Sequence, residues 1–496
     1  MASYTRTALK GAGVFLIMAL LAGFISYLVR LVLARNLTPE DYGLFYAVFA
    51  FFGILLVLRE LGTGHSLSKH IAEFQVKRKY SSIKGSIIIY LLVNLVFSLV
   101  IFGIILLFLE EISLHFFHTE NTIVIVLLGI MFILQPMARV FYFSFQGFKR
   151  FEFGSLVEFS RMTLVLIFVL MVFMVSDSIV IPCLAYIFAH IFQVFLLSPL
   201  FLRTFPSFLR VKAHLTPALS KRLLSFGIPV MVGLMGGVII THIDTLSVTY
   251  FTTLEDVALY EVAMPTAKLL LYLTKAVSFV VLPFSSELWA RRHKKKLREG
   301  MSLLYKYSFT LVIPLALMMI SFPEVIINLL FGAEYVAASL VLQILAVAGI
   351  IYMVCFINNN FLVGVGRLKE NTKIILAAAG FNILLDVILV PLIGIEGAAI
   401  GTLLSYVLIL ILTVKKVRTI ISIRAPWFIW MKNLISALLF MIVVGILKES
   451  ISSIGDVTEM IIVGGIGLLF YAFLLVALKV VDLKELRGIF NYALRK

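Results

Sequence analysis

Asn382 and Asp386 stand four residues apart inside an otherwise apolar run, FNILLDVILVP at 381 to 391, so on a helix their oxygens leave from one face. The stretch that follows, PLIGIEGAAIGT, carries Pro391, Gly394 and Gly397, which loosen the backbone around a turn, and Thr402 adds a hydroxyl one turn beyond Ala398. Together with Asp244 from an earlier apolar run, these residues offer carboxylate, amide, hydroxyl and main-chain oxygen without sulfur or imidazole. Such a set suits a hard monovalent cation better than a transition metal. The competing reading is a carboxylate satisfied by a neighbouring helix.

Other charges sit where lipid would be expected. Arg30, Arg59, Glu60, Arg139, Glu158, Arg161, Glu261, Lys268, Lys275 and Glu287 lie within or at the edges of apolar stretches. A charge at the bilayer centre costs roughly 2.5 to 3.5 kcal/mol on insertion scales, so most of them must face a wet cavity, a partner or an interface. Arg139, Arg161 and Glu287 fall near helix ends and can snorkel, with Glu158 one turn from Arg161. Glu261, Lys268 and Lys275 recur every seven residues and form one helical stripe, expected to line a cavity, with Pro265 as a kink. Two readings stand for Arg59 and Lys275: desolvated cations that bind an anion, Arg59 bidentately, or partners of Glu60 and Glu261 in internal ion pairs. Arg30 is expected to meet Asp244 and close the outer mouth of that cavity.

These residues require elements that cross a membrane. The 496-residue chain is 62% hydrophobic and 14% charged, with a mean hydropathy of +1.10, which excludes a soluble protein of this length. About fourteen apolar stretches, each long enough to span, cover the chain and leave no room for a soluble domain. The second is placed at 42 to 66 and the eighth at 257 to 284. The first stretch is too long for a signal-peptide core and is expected to be retained. Cys183 and Cys355 lie in apolar runs without metal-ligand neighbours and are expected to be packing residues.

The net charge of +16 is distributed by loop, not in a nucleic-acid-binding cluster. Alternate connections are basic, as in RRHKKK at 291 to 296, and the intervening ones are acidic, which places both termini and the basic loops in the cytoplasm of a plasma-membrane protein. The chain also repeats. LTPEDYGLFYAV at 37 to 48 matches TTLEDVALYEVA at 252 to 263 with an offset of 215, and FQGFKRFE at 145 to 152 matches LVGVGRLK at 362 to 369 with an offset of 217. Six helices per repeat give two parallel copies around a cavity, a transporter architecture. The expected organisation is all-α, with six-helix lobes at 1–210 and 211–420 and two further helices and a tail at 421–496.

LTPEDYGLF, GFKRF, GVGRLKEN and PLIGIEGAAIGT resemble the polysaccharide flippase branch of the multidrug, oligosaccharidyl-lipid and polysaccharide exporter superfamily. The resemblance covers the whole chain. It implies two six-helix bundles that move a polyprenyl-linked saccharide between leaflets, and no enzymatic activity. Similarity to the lipid II flippases further implies a sodium site at Asp244, Asn382, Asp386, Ala398 and Thr402. It also implies headgroup contacts at Arg30 and Arg59; helix 8 departs from the pattern by offering Lys268 and Lys275 in place of arginine. Glu60 and Glu261 then act as cavity or gate residues.

The expected function is flipping of a lipid-linked oligosaccharide by alternating access, driven by sodium or by membrane potential. The expected partners are that substrate, membrane lipids and saccharide-assembly enzymes, with a monomeric protein and no cofactor besides sodium. A cation-coupled multidrug exporter of the same superfamily is the first alternative, and the basic stripe on helix 8 argues against it. A membrane-embedded polymerase or glycosyltransferase is the second, and the short outer loops argue against that.

Overall fold

The computed structural model describes every residue except 1, 175–177, 423–426, 452–454 and 481–496; the side chains of 2–12, 14–16, 273–280 and 451 also lie outside the description. In chain order the first repeat forms α1 (Ala2–Asn36), α2 (Pro39–Glu60), α3 (Thr63–Val76), α4 (Tyr80–Leu107), α5 (Leu109–His115), α6 (Ile123–Gly147), α7 (Phe151–Phe173) and α8 (Val180–Thr204). The second forms α9 (Pro217–Phe251), α10 (Leu254–Ala290), α11 (Lys294–Ser321), α12 (Pro323–Leu330), a 3-10 turn (Ala333–Ala338), α13 (Ser339–Gly364), α14 (Leu368–Ile393) and α15 (Ile395–Ile420). Two helices follow, α16 (Trp427–Ile451) and α17 (Asp456–Ala477). The protein is all-α, and among the described residues 13 helices are long and apolar enough to cross a membrane. The remaining stretch of the sequence reading lies on α10, whose 37 residues suffice for a span but include Glu261, Lys268 and Lys275.

The repeat is visible in local geometry as well as in sequence. Thr38 Oγ1 accepts from the Asp41 amide at 3.2 Å before α2, and 215 residues on Thr253 Oγ1 accepts from the Asp256 amide at 3.2 Å before α10. Both are side-chain caps on otherwise unpaired first-turn donors. The α6–α7 and α13–α14 connections likewise turn through left-handed residues 217 apart, Lys149 (φ 61°) and Gly366 (φ 81°). In each, the amide after that residue returns to a carbonyl five residues back, Arg150 to Phe145 and Arg367 to Leu362, both at 2.8 Å. Short helices α5 and α12, read from sequence as loop, occupy matching places.

One expected span is divided. The apolar run at 42 to 66 does not continue as a single helix, because Leu61 (φ 47°) and Gly62 (φ 65°) both turn left-handed between α2 and α3. Gly62 is required there twice over, since a Cβ would also stand 2.1 Å from the Gly227 carbonyl oxygen of α9. At the other end of α2, a Cβ on Gly43 would stand 1.9 Å from the Leu254 carbonyl oxygen. Helices in lipid gain little from apolar burial against each other, so close backbone approach at small residues is what holds them together.

Two compact units are present, Met1–Glu261 with Ala379–Ala398, and Val262–Ala378 with Ala399–Lys496. The first contains an aromatic core in which Phe143, Phe145, Tyr90 and Phe201 are buried. In the second, Tyr305 donates to Asn358 Oδ1, and Asn358 Nδ2 donates to Thr413 Oγ1 at 3.1 Å, tying α11, α13 and α15. There α16 and α17 are joined by Tyr471 OH donating to Asn433 Oδ1 at 3.1 Å.

Candidate functional site

Arg59, in the last turn of α2, is fully buried. Its Nη1 donates to the Phe132 carbonyl at 2.7 Å, and its guanidinium lies 4.6 Å from the Phe132 ring centroid. That carbonyl is available because Pro136, four residues on within α6, has no N–H to give it. Nε and Nη2 of Arg59 have no hydrogen-bond partner among the described residues, and neither has the buried Tyr90 hydroxyl beside it. These two nitrogens form the edge of the guanidinium that grips an oxyanion with parallel bonds. Glu60 is paired with Arg139, Oε1 to Nε at 3.6 Å. Arg139 therefore turns to an internal carboxylate where snorkelling was expected, and the group of two arginines and one glutamate carries a net positive charge. The expected Glu158 pairing holds, since Arg161 Nε donates to Glu158 at 3.2 Å.

Toward the opposite end of α2, Arg30 of α1 pairs with Glu261 of α10, Nη1 to Oε2 at 2.7 Å, and stacks over the Tyr46 ring at 3.9 Å. The expected Arg30–Asp244 contact is thus replaced by Arg30–Glu261. The reason lies in the backbone. Pro265 frees the Glu261 carbonyl, which accepts from Arg30 Nη1 at 3.3 Å and from Tyr42 OH at 3.4 Å, so main chain and carboxylate draw the guanidinium to one place. Thr245, the repeat equivalent of Arg30, donates to the other carboxylate oxygen of Glu261 at 2.5 Å.

Asp244, Asn382, Asp386 and Ala398 are all buried within the first unit. Asp386 lies beside Asp244 and Ser247. Asn382 Nδ2 donates to Asp386 Oδ1 at 3.4 Å, and Tyr260 OH donates to Asp244 Oδ2 at 2.6 Å. Asp386 Oδ2 and Asn382 Oδ1 have no donor among the described residues. A left-handed Gly394 folds α15 back, and Gly397 meets the Leu389 carbonyl so closely that a Cβ would stand 2.5 Å from it; this sets Ala398 against the last turns of α14. Two adjacent buried carboxylates and an amide oxygen, with Asp386 Oδ2 and Asn382 Oδ1 unmet among the described residues, fit a bound monovalent cation. Thr402 belongs to the second unit, buried on α15 one turn from Ala398.

The α10 stripe is divided. Lys268 is half-buried in the second unit, and the Lys275 side chain lies outside the described residues.

The basic end of the first unit is closed by α3 packed on α9. Ser66 OH donates to the Leu223 carbonyl at 2.8 Å, Arg222 Nη2 donates to both Glu73 oxygens at 2.8 Å, and Lys69 stacks on Phe226 at 3.9 Å. Hydrogen bonds from Lys77 and Arg222 hold the Glu73 carboxyl down at about 2. Burial lowers His70, which lies between Ser66 and Phe226. Sequence reading missed Tyr42, Thr245, Ser247, Tyr260 and this closure. The prolines at 136 and 265 are the signal that could have found the two arginine contacts, because each leaves a carbonyl four residues back in need of a donor.

Comparison with known proteins agrees with this architecture. Over its full length the chain is 29% identical to an uncharacterized membrane protein of Methanocaldococcus jannaschii, MJ1068, which it covers completely. Over 194 residues, 39% of the chain and 41% of the relative, it is 27% identical to a Haloferax volcanii protein named "Probable low-salt glycan biosynthesis flippase Agl15". The structure of the lipid II flippase MurJ in an inward-closed conformation superposes with a TM-score of 0.76 at 17% identity, covering 97% of this chain and 99% of that one. A second family model, MatE, matches residues 229–388. The family model described as polysaccharide biosynthesis protein matches residues 8–289, more than half of the chain, and the chain belongs to that family, among the flippases and transporters of the multidrug, oligosaccharidyl-lipid and polysaccharide exporter superfamily.

Proposed function

We propose that this protein flips a polyprenyl-phosphate- or pyrophosphate-linked oligosaccharide from the cytoplasmic to the outer leaflet by alternating access. The observation that carries the reading is Arg59, fully buried with its Nε–Nη2 edge unpartnered. A buried cation with two open donors is costly to keep, and an oxyanion that takes both repays desolvation in that site. Release of α3 from α9 admits the headgroup to Arg59 from the basic side, which the positive-inside rule makes cytoplasmic. In this reading Lys268 and Lys275 are further headgroup contacts from α10, and Glu60 and Glu261 act as cavity or gate residues. The lobes that move are the six-helix repeats, 1–210 and 211–420, and the protein works as a monomer in the plasma membrane beside saccharide-assembly enzymes.

Asp244, Asn382 and Asp386, with the Ala398 carbonyl and Thr402, would hold sodium. Bound there, the ion would supply positive charge beside two adjacent carboxylates. The unmet Asp386 Oδ2 and Asn382 Oδ1 support this reading.

The MatE match over 229–388 favours a second reading, a cation-coupled exporter of organic cations. One experiment decides between the two. Purified protein in liposomes is offered a fluorescent lipid-linked oligosaccharide in one arm and ethidium in the other. Movement of the lipid that is lost in Arg59→Met supports the flippase, whereas ethidium transport with an immobile lipid refutes it.

A further inference from the structure

An apolar slot of about 460 Å³ opens between α4 and α8 on the surface of α6. Apart from Ser198, its lining is hydrocarbon and aromatic, and the Ser198 hydroxyl is satisfied by the Val194 carbonyl at 2.6 Å. Ile87, Leu91 and Leu95 line it from α4 at helical spacing, and the same face begins one turn earlier with Lys84. Lys84 Nζ lies 5.1 Å from the ring centroid of Phe208, which lines the slot where the chain leaves α8. Exposed Arg203, Arg210 and Lys212 flank that end.

We propose that this slot is a binding site for an anionic phospholipid of the surrounding bilayer. Hydrocarbon is the solvent at this depth, so a chain fills the slot without desolvation cost. At its basic end the charge pattern selects the headgroup: Lys84 is half-buried at the mouth, and three further cations lie within two short segments of chain. The occupant is a resident lipid and not the transported substrate, because the slot lining is apolar apart from Ser198 and includes neither Arg30 nor Arg59.

The test is native mass spectrometry of the full-length protein, titrated with phosphatidylglycerol or phosphatidylcholine of identical chains. Wild type should retain one phosphatidylglycerol in preference to phosphatidylcholine by about tenfold. Lys84→Gln should reduce the preference severalfold while chain binding persists. Met137→Trp, at a slot wall that is 44% exposed, should fill the slot and remove both lipids. Equal retention of the two lipids by wild type, an undiminished preference in Lys84→Gln, or a retained lipid in Met137→Trp would overturn the proposal. Displacement of phosphatidylglycerol by an equal concentration of polyprenyl phosphate would also overturn it, by assigning the slot to the substrate.

Discussion

Arg59 and Pro136 should be energetically coupled, although they lie on different helices and one of them is a residue with no donor to offer. In the wild-type background Arg59→Met removes a charge-assisted bond to the Phe132 carbonyl, worth about 1.5 to 3 kcal/mol, and leaves that carbonyl buried without a donor. It also removes two unmet N–H donors, each costing about 1 to 3 kcal/mol, so the single substitution is a small difference of opposed terms. In a Pro136→Ala background the amide of residue 136 takes the Phe132 carbonyl within α6, and Arg59→Met then removes only the unmet donors. Arg59→Met should therefore be more harmful beside proline than beside alanine, by about the value of the carbonyl bond, 1.5 to 3 kcal/mol. The assay is equilibrium unfolding of the four proteins in mixed micelles. Additivity within about 0.5 kcal/mol would show that the carbonyl contact carries no energy and refute the reasoning. Transport supplies the second readout: the double variant should be folded yet unable to move the lipid-linked oligosaccharide, and an active double variant would remove Arg59 from the substrate path.

Sodium at a hundred times its dissociation constant should raise the unfolding free energy by about 2.7 kcal/mol over potassium at equal ionic strength, and Asp386→Asn should erase the difference. A sodium effect that survives in the variant would dismiss the proposed ligand set. Glu261→Gln should destabilise by about 1 to 3 kcal/mol in the same unfolding assay, since Arg30 and Thr245 lose a charged acceptor in a site where both partners are mostly buried. His70 is held neutral by burial with Lys69, Arg222 and Glu73 around it, so its folded value lies below its ordinary 6.5. Its contribution is complete above that value and declines as pH falls below it, because the unfolded chain takes up the proton first. Hydrogen exchange in α3 should accordingly quicken between pH 7.5 and 5.5, and His70→Gln should flatten that dependence; equal pH profiles for both proteins would exclude His70 as the cause.

The span pattern was legible because length and hydropathy decide it, and the repeat was legible because Thr-x-x-Asp caps and left-handed turns are local devices that leave local marks. Asn382 and Asp386 were legible for the same reason, being four apart on one helix. The partners of the buried charges were not. Arg30 chose Glu261 over Asp244 because a carbonyl freed by Pro265 adds a second acceptor, and nothing in charge or spacing reveals that acceptor until α1 and α10 are packed together. The break at Leu61–Gly62 was hidden similarly: the run from 42 to 66 is long enough for one span, and Gly62 is fixed by the approach of the distant Gly227. Local marks report local structure, while register between helices depends on contacts distant in the chain.

The two arginines differ in what a bound anion would displace, and the difference sets an order of engagement. Arg59 commits Nη1 to the Phe132 carbonyl and leaves Nε and Nη2 open, so an oxyanion can bind without disturbing α6. Arg30 is ion-paired with the Glu261 carboxylate at 2.7 Å, so an anion there must compete with a negative charge already in place. A headgroup should therefore meet Arg59 first and reach Arg30 only as Glu261 lets go, which couples substrate advance to release of α1 from α10. Binding of polyprenyl pyrophosphate to resting protein should fall at least tenfold in Arg59→Met, the loss of about 1.4 kcal/mol or more. In Arg30→Met resting affinity should change by less than about twofold while flipping in liposomes is lost. Equal loss of resting affinity in the two variants would show that both arginines are open to the substrate from the start, and the Arg30–Glu261 pair would then have no part in timing the cycle.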